Sequence, residues 1–264
     1  MVNQESINIL KEISIIAGRK IIEIKNNKNK TVEYKKDSSP VTHADIEANK
    51  IIVSEIKKNF PKIPIISEES EAEDIKNNSF FLVDPLDGTK EFIKGSNEYT
   101  VNIALIEEET PILGIIYVPE KDEIFWNDSV NSYFENKGNK RKIFVSDDCE
   151  KISKLELSRS HLDDLTKNFV GKLKVKKYNY SGSSIKLCNL ARGISNIYPR
   201  FGPTKEWDIA AGHAILNCAG GKIIKIDEKE LKYRKPDFLN NYFVALGSKK
   251  IPNEVKSLLK NISQ

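Results

Sequence analysis

Apolar residues recur every three or four positions over 5–25, where Ile7, Leu10, Ile13, Ile16, Ala17, Ile21 and Ile24 share one face. That spacing predicts an amphipathic helix. A polar, lysine-rich connection over 26–39 leads to a second helical stretch, 40-PVTHADIEANKIIVSEIKKNF-60. Thr42 followed three positions later by Asp45 is a capping-box-like start, and Pro61 ends the helix. The period then shortens to that of strands. Short apolar runs at 63–66 and 79–83 precede longer stretches at 98–108 and 111–119, which form an antiparallel hairpin through Glu109–Thr110. Strands at 122–126 and 132–136 follow.

After about residue 147 shorter strands alternate with helices. The pattern predicts strands at 154–158, 174–179, 194–200, 222–226 and 242–247, with helices at 161–170, 183–193, 207–219 and 252–262. There is no internal repeat. The expected architecture is one compact α/β unit in two halves, residues 1–147 and 148–264.

Composition narrows the function classes. The 264 residues are 39% hydrophobic and 30% charged, enough for a large core. Against 42 basic residues stand 38 acidic ones, and the lysines are scattered, so a nucleic-acid-binding surface is not indicated. The basic run 172-KLKVKK-177 alternates with apolar residues and reads as a solvated strand face. Cys149, Cys188 and Cys218 are widely spaced and odd in number, which favours a reducing compartment. No apolar segment approaches the roughly 20 residues of a membrane span. Asn3, Gln4 and Glu5 open the chain without the character of a secretory leader. A soluble, cytoplasmic protein is expected. A peripheral position on the cytoplasmic face of the inner membrane is compatible with this, although no amphipathic lipid-binding segment argues for it.

The chemistry concentrates in 80-FFLVDPLDGTKEF-92, where an apolar strand surfaces in two aspartates. Asp, Pro and Gly are ordinary turn residues, so a plain turn is one reading. A metal–phosphate site is the other. Asp45, Glu68–Glu69 and Asp208 also fall at expected strand ends or helix starts, so several carboxylates converge if the strands at 63–66 and 79–83 are neighbours. Clustered carboxylates repel one another and call for compensating charge, and an all-oxygen set suits Mg²⁺ or Mn²⁺ better than zinc. Two aspartates three apart, rather than two, argue against an aspartyl-phosphate loop and for chelation. Two ions about 3.5–4 Å apart sharing one aspartate would serve an in-line phosphoryl displacement.

Three segments, 68-EES-70, 84-DPLDGTKEFI-93 and 207-WDIAAGHAI-215, together with the looser 40-PVTHAD-45, resemble the lithium-sensitive, magnesium-dependent phosphatases related to inositol monophosphatase. Within that family, 99-YTVNIALI-106, 111-PILGIIYVP-119, 158-SRSH-161, 182-GSSIKLC-188 and 198-YPRFGPTKEWD-208 are most similar to the bacterial CysQ-type 3′(2′),5′-bisphosphate nucleotidases. The resemblance runs in order across most of the chain, although the lysine- and asparagine-rich edges differ. It implies a layered αβαβα sandwich and removal of the 3′-phosphate from adenosine 3′,5′-bisphosphate, giving AMP, as part of sulfate assimilation.

The resemblance also implies roles. Glu68, Asp84 and the Leu86 carbonyl would hold a first Mg²⁺, and Asp84, Asp87 and Asp208 a second, with a further ion or water near Glu68. Thr89, oriented by Asp45, would position the attacking water, and the Gly88 and Thr89 amides would grip the phosphate. His161, Ser183, Lys186 and Arg200 would contact the nucleotide. The last two suit a second phosphate. The rival readings are an inositol monophosphatase or other sugar phosphatase of the same superfamily, such as one acting on fructose 1,6-bisphosphate, a non-catalytic nucleotide sensor, and a basic nucleic-acid module. The oligomeric state is left open. His213, among alanines, reads as a core residue, His43 as part of a helix start, and Trp207 as a packing anchor for Asp208. Glu69 divides evenly between supporting the site and solvation.

Overall fold

Thr42 and Asp45 close a capping box in the computed structural model, which describes residues 3–27, 32–34, 40–70, 77–146 and 152–262. The Thr42 amide donates to Asp45 Oδ2 at 2.8 Å, and Thr42 Oγ1 accepts from the Ala44 amide at 3.2 Å. The first half runs α1 (Gln4–Asn26), β1 (Val32–Tyr34), β2 (Pro40–Thr42), α2 (His43–Asn59), β3 (Ile65–Ser67) and β4 (Ser79–Asp87). Then come α3 (Thr89–Ile93), β5 (Thr100–Glu107), β6 (Thr110–Val118), a 3₁₀ turn at Pro119–Lys121, β7 (Glu123–Asn127), β8 (Ser132–Asn136) and β9 (Asn139–Ile143). The second half adds β10 (Lys154–Ser158), α4 (Asp164–Lys172), β11 (Lys177–Ser181), α5 (Ile185–Ala191) and β12 (Ile197–Arg200). It ends with α6 (Glu206–Cys218), β13 (Lys222–Lys225), β14 (Phe243–Leu246) and α7 (Asn253–Lys260).

Strands β3 to β9 form one seven-stranded sheet in sequence order, antiparallel except for the parallel β3–β4 pair. The second sheet has five strands in the order β11-β10-β12-β14-β13, the first three parallel. Helices α1 and α2 cover one face of the large sheet through Ile13, Ala17, Ile21, Ala48 and Ile52. Helices α5 and α6 fill the space between the sheets, where Leu187, Ala211 and Ile215 meet Leu82 and Ile116 on one side and Phe243 on the other. Phe169 of α4 and Val255 and Leu259 of α7 cover the outer face of the small sheet with Leu155 and Val244. The result is the five-layered αβαβα sandwich that the family resemblance implies.

The middle layer is packed to contact. A Cβ on Gly114 of β6 would lie 2.1 Å from the Ala211 carbonyl oxygen, and one on Gly212 would lie 2.4 Å from Leu187 Cδ1. Small residues are required there because α6 lies directly on the sheet.

Several boundaries differ from the sequence reading. The β5–β6 turn is Glu108–Glu109, both at positive φ, one residue earlier than expected. Lys174 and Lys176 are exposed and Leu173 and Val175 buried, but the segment is irregular chain after α4, and the strand begins only at Lys177. The short α3 and the strand β9 were not foreseen; β9 is almost wholly exposed and carries no apolar alternation. The expected division at 147/148, and Cys149, lie outside the described residues. Among the described residues no helix is long and apolar enough to cross a membrane.

Candidate active site

Parallel pairing sets Ser67 beside Val83, so the chain delivers Glu68 and Asp84 at one sheet edge. The Glu68 amide donates to the Val83 carbonyl at 3.1 Å. Beyond Asp84, strand β4 cannot keep register with β5: Asp84 faces Asn102 but Asp87 faces Thr100, leaving one extra residue on β4. Pro85 has no amide to give to the ladder, and the resulting bulge turns the chain end outward. The Leu86 amide instead donates to Asp84 Oδ1 at 3.1 Å.

Asp208 reaches the same place from the first turn of α6, where the Lys205 amide donates to its Oδ2 at 2.8 Å. Oxygens of Glu68, Asp84 and Asp208 all lie within 4.8 Å of one another. Burial, and then repulsion from Glu68, Asp87 and Asp208, holds the Asp84 carboxyl well above the ordinary carboxylate range. Burial, and then Asp87 and Glu68, does the same to Asp208. A cluster so strained by its own charge fits a hard divalent cation: the donors are all oxygen, and a cation removes both costs.

Asp87 stands slightly apart from this triangle. Its Oδ2 accepts from Ser184 Oγ at 2.9 Å and from Asn102 Nδ2 at 3.3 Å, and Ser184 also approaches the Asp208 carbonyl at 2.7 Å. Burial raises its carboxyl as well, while Lys186 and these hydrogen bonds pull it back.

Gly88 follows at φ +95°, and a Cβ there would lie 3.0 Å from the Glu98 carbonyl oxygen. The left-handed turn lets α3 start at Thr89, whose hydroxyl lies 3.1 Å from Asp45 Oδ1 and 3.2 Å from the Leu86 carbonyl. Asp45 is buried; desolvation raises its carboxyl, and the bonds from Thr42 and Thr89 oppose that shift. Asn49, one turn along α2, accepts from Ser67 Oγ at 2.7 Å and donates to the Glu69 carbonyl at 3.3 Å, tying the Glu68 segment to the helix.

These groups open into a cavity of about 920 Å³ that also receives His161, Ser183, Lys186 and Arg200. Lys186 is buried, with its ammonium on the carbonyls of Ser183 and Ser181. Arg200 donates to the carbonyls of His161 and, at 2.8 Å, of Pro203, while its Nε finds no partner among the described residues. Ser183 sits at φ +46° with a buried hydroxyl that likewise finds no partner among the described residues. His161 is neutral, pushed down to about 4 by desolvation and then by Lys90 and Arg200; its Nε2 accepts from Lys90 Nζ at 3.0 Å.

All the candidate residues therefore meet around one cavity, with Asp45 supporting from behind Thr89. Lys90, Asn102, Ser184 and Asn49 were missed. Lys90 lies inside the motif and could have been singled out; the other three are ordinary polar residues whose relevance appears only on contact. His213 is a core residue as expected, with Nδ1 2.9 Å from the Tyr233 hydroxyl. His43 is exposed at the start of α2. Trp207 packs on Phe238 with ring centroids 5.7 Å apart.

Residues 2–260 match the pattern of the inositol monophosphatase family. The chain belongs to that family. Among its relatives is the 3′(2′),5′-bisphosphate nucleotidase CysQ of Buchnera aphidicola subsp. Acyrthosiphon pisum, 45% identical over 237 residues, 87% of this chain and 89% of that one. The protein of the same name from Escherichia coli (strain K12) is 39% identical over 232 residues, 86% of this chain and 94% of that one. In three dimensions the fold matches the crystal structure of CysQ from Bacteroides thetaiotaomicron with a TM-score of 0.82 and 34% identity, covering 94% of this chain and 98% of that one. Enzymes of this family are metal-dependent phosphatases, and this chain has an acidic cluster at the end of β4.

Proposed function

We propose that this protein is a 3′(2′),5′-bisphosphate nucleotidase that hydrolyses the 3′-phosphate of adenosine 3′,5′-bisphosphate to AMP and phosphate. The observation that carries the reading is the pairing, in one cavity, of an acidic triangle with two buried cations, Lys186 and Arg200. One phosphate needs the first, and a substrate keeping a second phosphate needs the other. An inositol monophosphate would leave Lys186 and Arg200 without a task. The relatives named CysQ support the same choice.

Glu68, Asp84 and the Leu86 carbonyl are assigned to one Mg²⁺, and Asp84, Asp87 and Asp208 to a second, with a weaker third ion near Glu68. When bound, such ions lower the pKa of water and offset charge on the phosphoryl oxygens. The chain's own groups do the rest. The Thr89 hydroxyl accepts a hydrogen bond from the attacking water while its proton points to Asp45, so a proton leaving the water can pass through Thr89 to the Asp45 carboxylate. The Gly88 and Thr89 amides hold the departing phosphate. Lys186 and Arg200 hold the phosphate that stays, and His161 and Ser183 line the path to the sugar. The presence of Glu68, Asp84, Asp87, Thr89 and Asp208 together argues against a sensor without turnover. A cytoplasmic site of action, in sulfate assimilation, fits buried Cys188 and partly buried Cys218, both unpaired.

Phosphate release from adenosine 3′,5′-bisphosphate, inositol 1-phosphate and fructose 1,6-bisphosphate, each with Mg²⁺ and with EDTA, tests the proposal. Mg²⁺-dependent preference for the nucleotide is expected. Preference for a sugar phosphate would overturn the substrate assignment, and nucleotide binding without turnover would overturn the enzyme.

A further inference from the structure

Glu156 of β10 is fully buried, far from the acidic triangle in sequence, and has no part in the chemistry above. Its carboxylate collects side-chain hydrogen bonds from Asn179 (2.9 and 3.1 Å), Ser181, Asn189 (3.2 Å) and Ser195 (2.8 Å). Every donor is neutral. Burying a carboxylate is costly unless hydrogen bonds or an opposite charge compensate it, and a cation close behind these donors would supply that charge.

The cation is Lys186. Ser181 links the two: its hydroxyl donates to Glu156, and its carbonyl faces the Lys186 ammonium at 3.4 Å. Asn189, one turn along α5 from Lys186, is held by the same carboxylate. The charged groups facing Lys186 are Asp87, Glu91 and Glu156, which favour its charge, and Arg200, which together with burial opposes it. The Tyr198 ring lies 5.6 Å from the ammonium. Of the three carboxylates, Asp87 is assigned to the cations, and Glu91 lines the cavity and accepts from Ser160. Of these three, Glu156 is the one that neither lines the cavity nor is assigned to a cation.

We propose that Glu156 is a positioning residue for the cationic end of the cavity: it anchors Ser181 and α5 and supplies the standing counter-charge that keeps Lys186 aimed, charged, at the retained phosphate. Glu156 itself touches no substrate. This rests on the nucleotidase reading, in which Lys186 meets that phosphate.

The test is a double-mutant cycle of Glu156→Gln and Lys186→Gln, with kcat and KM measured for adenosine 3′,5′-bisphosphate and for adenosine 3′-monophosphate, which lacks the second phosphate. Glu156→Gln should raise KM for the bisphosphate about tenfold, with kcat and the monophosphate KM within about twofold. In the Lys186→Gln background it should raise KM no further. Because the Gln amide sets a donor against Asn179 or Ser195, some loss of stability is expected, but a merely structural role would lower activity on both substrates alike and add to the Lys186 effect. Either result overturns the proposal. Should Glu156→Gln fail to fold, Glu156→Asp, which keeps the charge and withdraws it by one methylene, replaces it in the cycle; a smaller rise in bisphosphate KM, again absent beside Lys186→Gln, is expected, and additive losses would be fatal. A wild-type enzyme with no preference for the bisphosphate over the monophosphate would instead defeat the functional reading on which the inference stands, before any variant is compared.

Discussion

The Thr89 hydroxyl lies 3.1 Å from a carboxylate oxygen of Asp45, joining the start of α3 to the first turn of α2 across 44 positions of sequence. Asp45 thus does two things at once, capping its own helix through Oδ2 and orienting Thr89 through Oδ1. Thr89→Ala should lower kcat by about 10²–10⁴ while KM changes little, since the lost contact acts on the attacking water. Asp45→Asn should also lower kcat and, by weakening the cap, reduce stability by about 1 kcal/mol. Steady-state kinetics with a urea titration separates the two effects.

Metal-free protein should respond to pH in an unusual direction. Asp84 and Asp208 have folded-state pKa values raised above their unfolded ones, so the folded chain binds more protons than the unfolded chain between those values. Their contribution to stability is therefore present below about pH 4 and lost as pH rises through the raised values. In EDTA the melting temperature should carry this downward slope with rising pH. Mg²⁺ should restore stability at neutral pH, and Asp84→Asn should flatten the slope.

Substrate choice should reside at Lys186 and Arg200. Lys186→Met or Arg200→Met should raise KM for adenosine 3′,5′-bisphosphate by about 10–100-fold, in line with the loss of a charge-assisted contact of about 1.5–3 kcal/mol. Turnover of inositol 1-phosphate, however slow, should be unchanged. Equal losses on both substrates would remove these residues from specificity.

Gly114 tests the packing beneath the site. Gly114→Ala would drive a methyl to 2.1 Å from the Ala211 carbonyl oxygen, part of the backbone of the helix that carries Asp208. Overpacking of this kind costs about 1–3 kcal/mol or more. A lowered melting temperature is expected together with weaker Mg²⁺ activation, because the shift of α6 moves Asp208 away from Asp84.

Much of this protein was legible because its signals are local. The capping box of α2 needs only Thr42 and Asp45, the α1 stripe needs only its own period, and the Asp-Pro-Leu-Asp-Gly-Thr segment announces a turn rich in carboxylates, while its bulge and the left-handed Gly88 appear only in the structure. Even the meeting of Glu68 with Asp84 could be anticipated from two short apolar runs ending in acids. What the chain could not show by itself were partnerships whose members are distant and individually unremarkable. Ser184 reaches Asp87 over 97 positions, Asn102 reaches Ser184 over 82, and Tyr233 satisfies His213 over 20. The start of β11 at Lys177, despite apolar alternation from Leu173, was likewise decided by where β10 offers a partner, with Lys154 opposite Lys177. Periodicity and capping are written in neighbouring residues; hydrogen-bond partners and counter-charges are chosen only when burial removes water as the alternative, and that choice belongs to the tertiary structure.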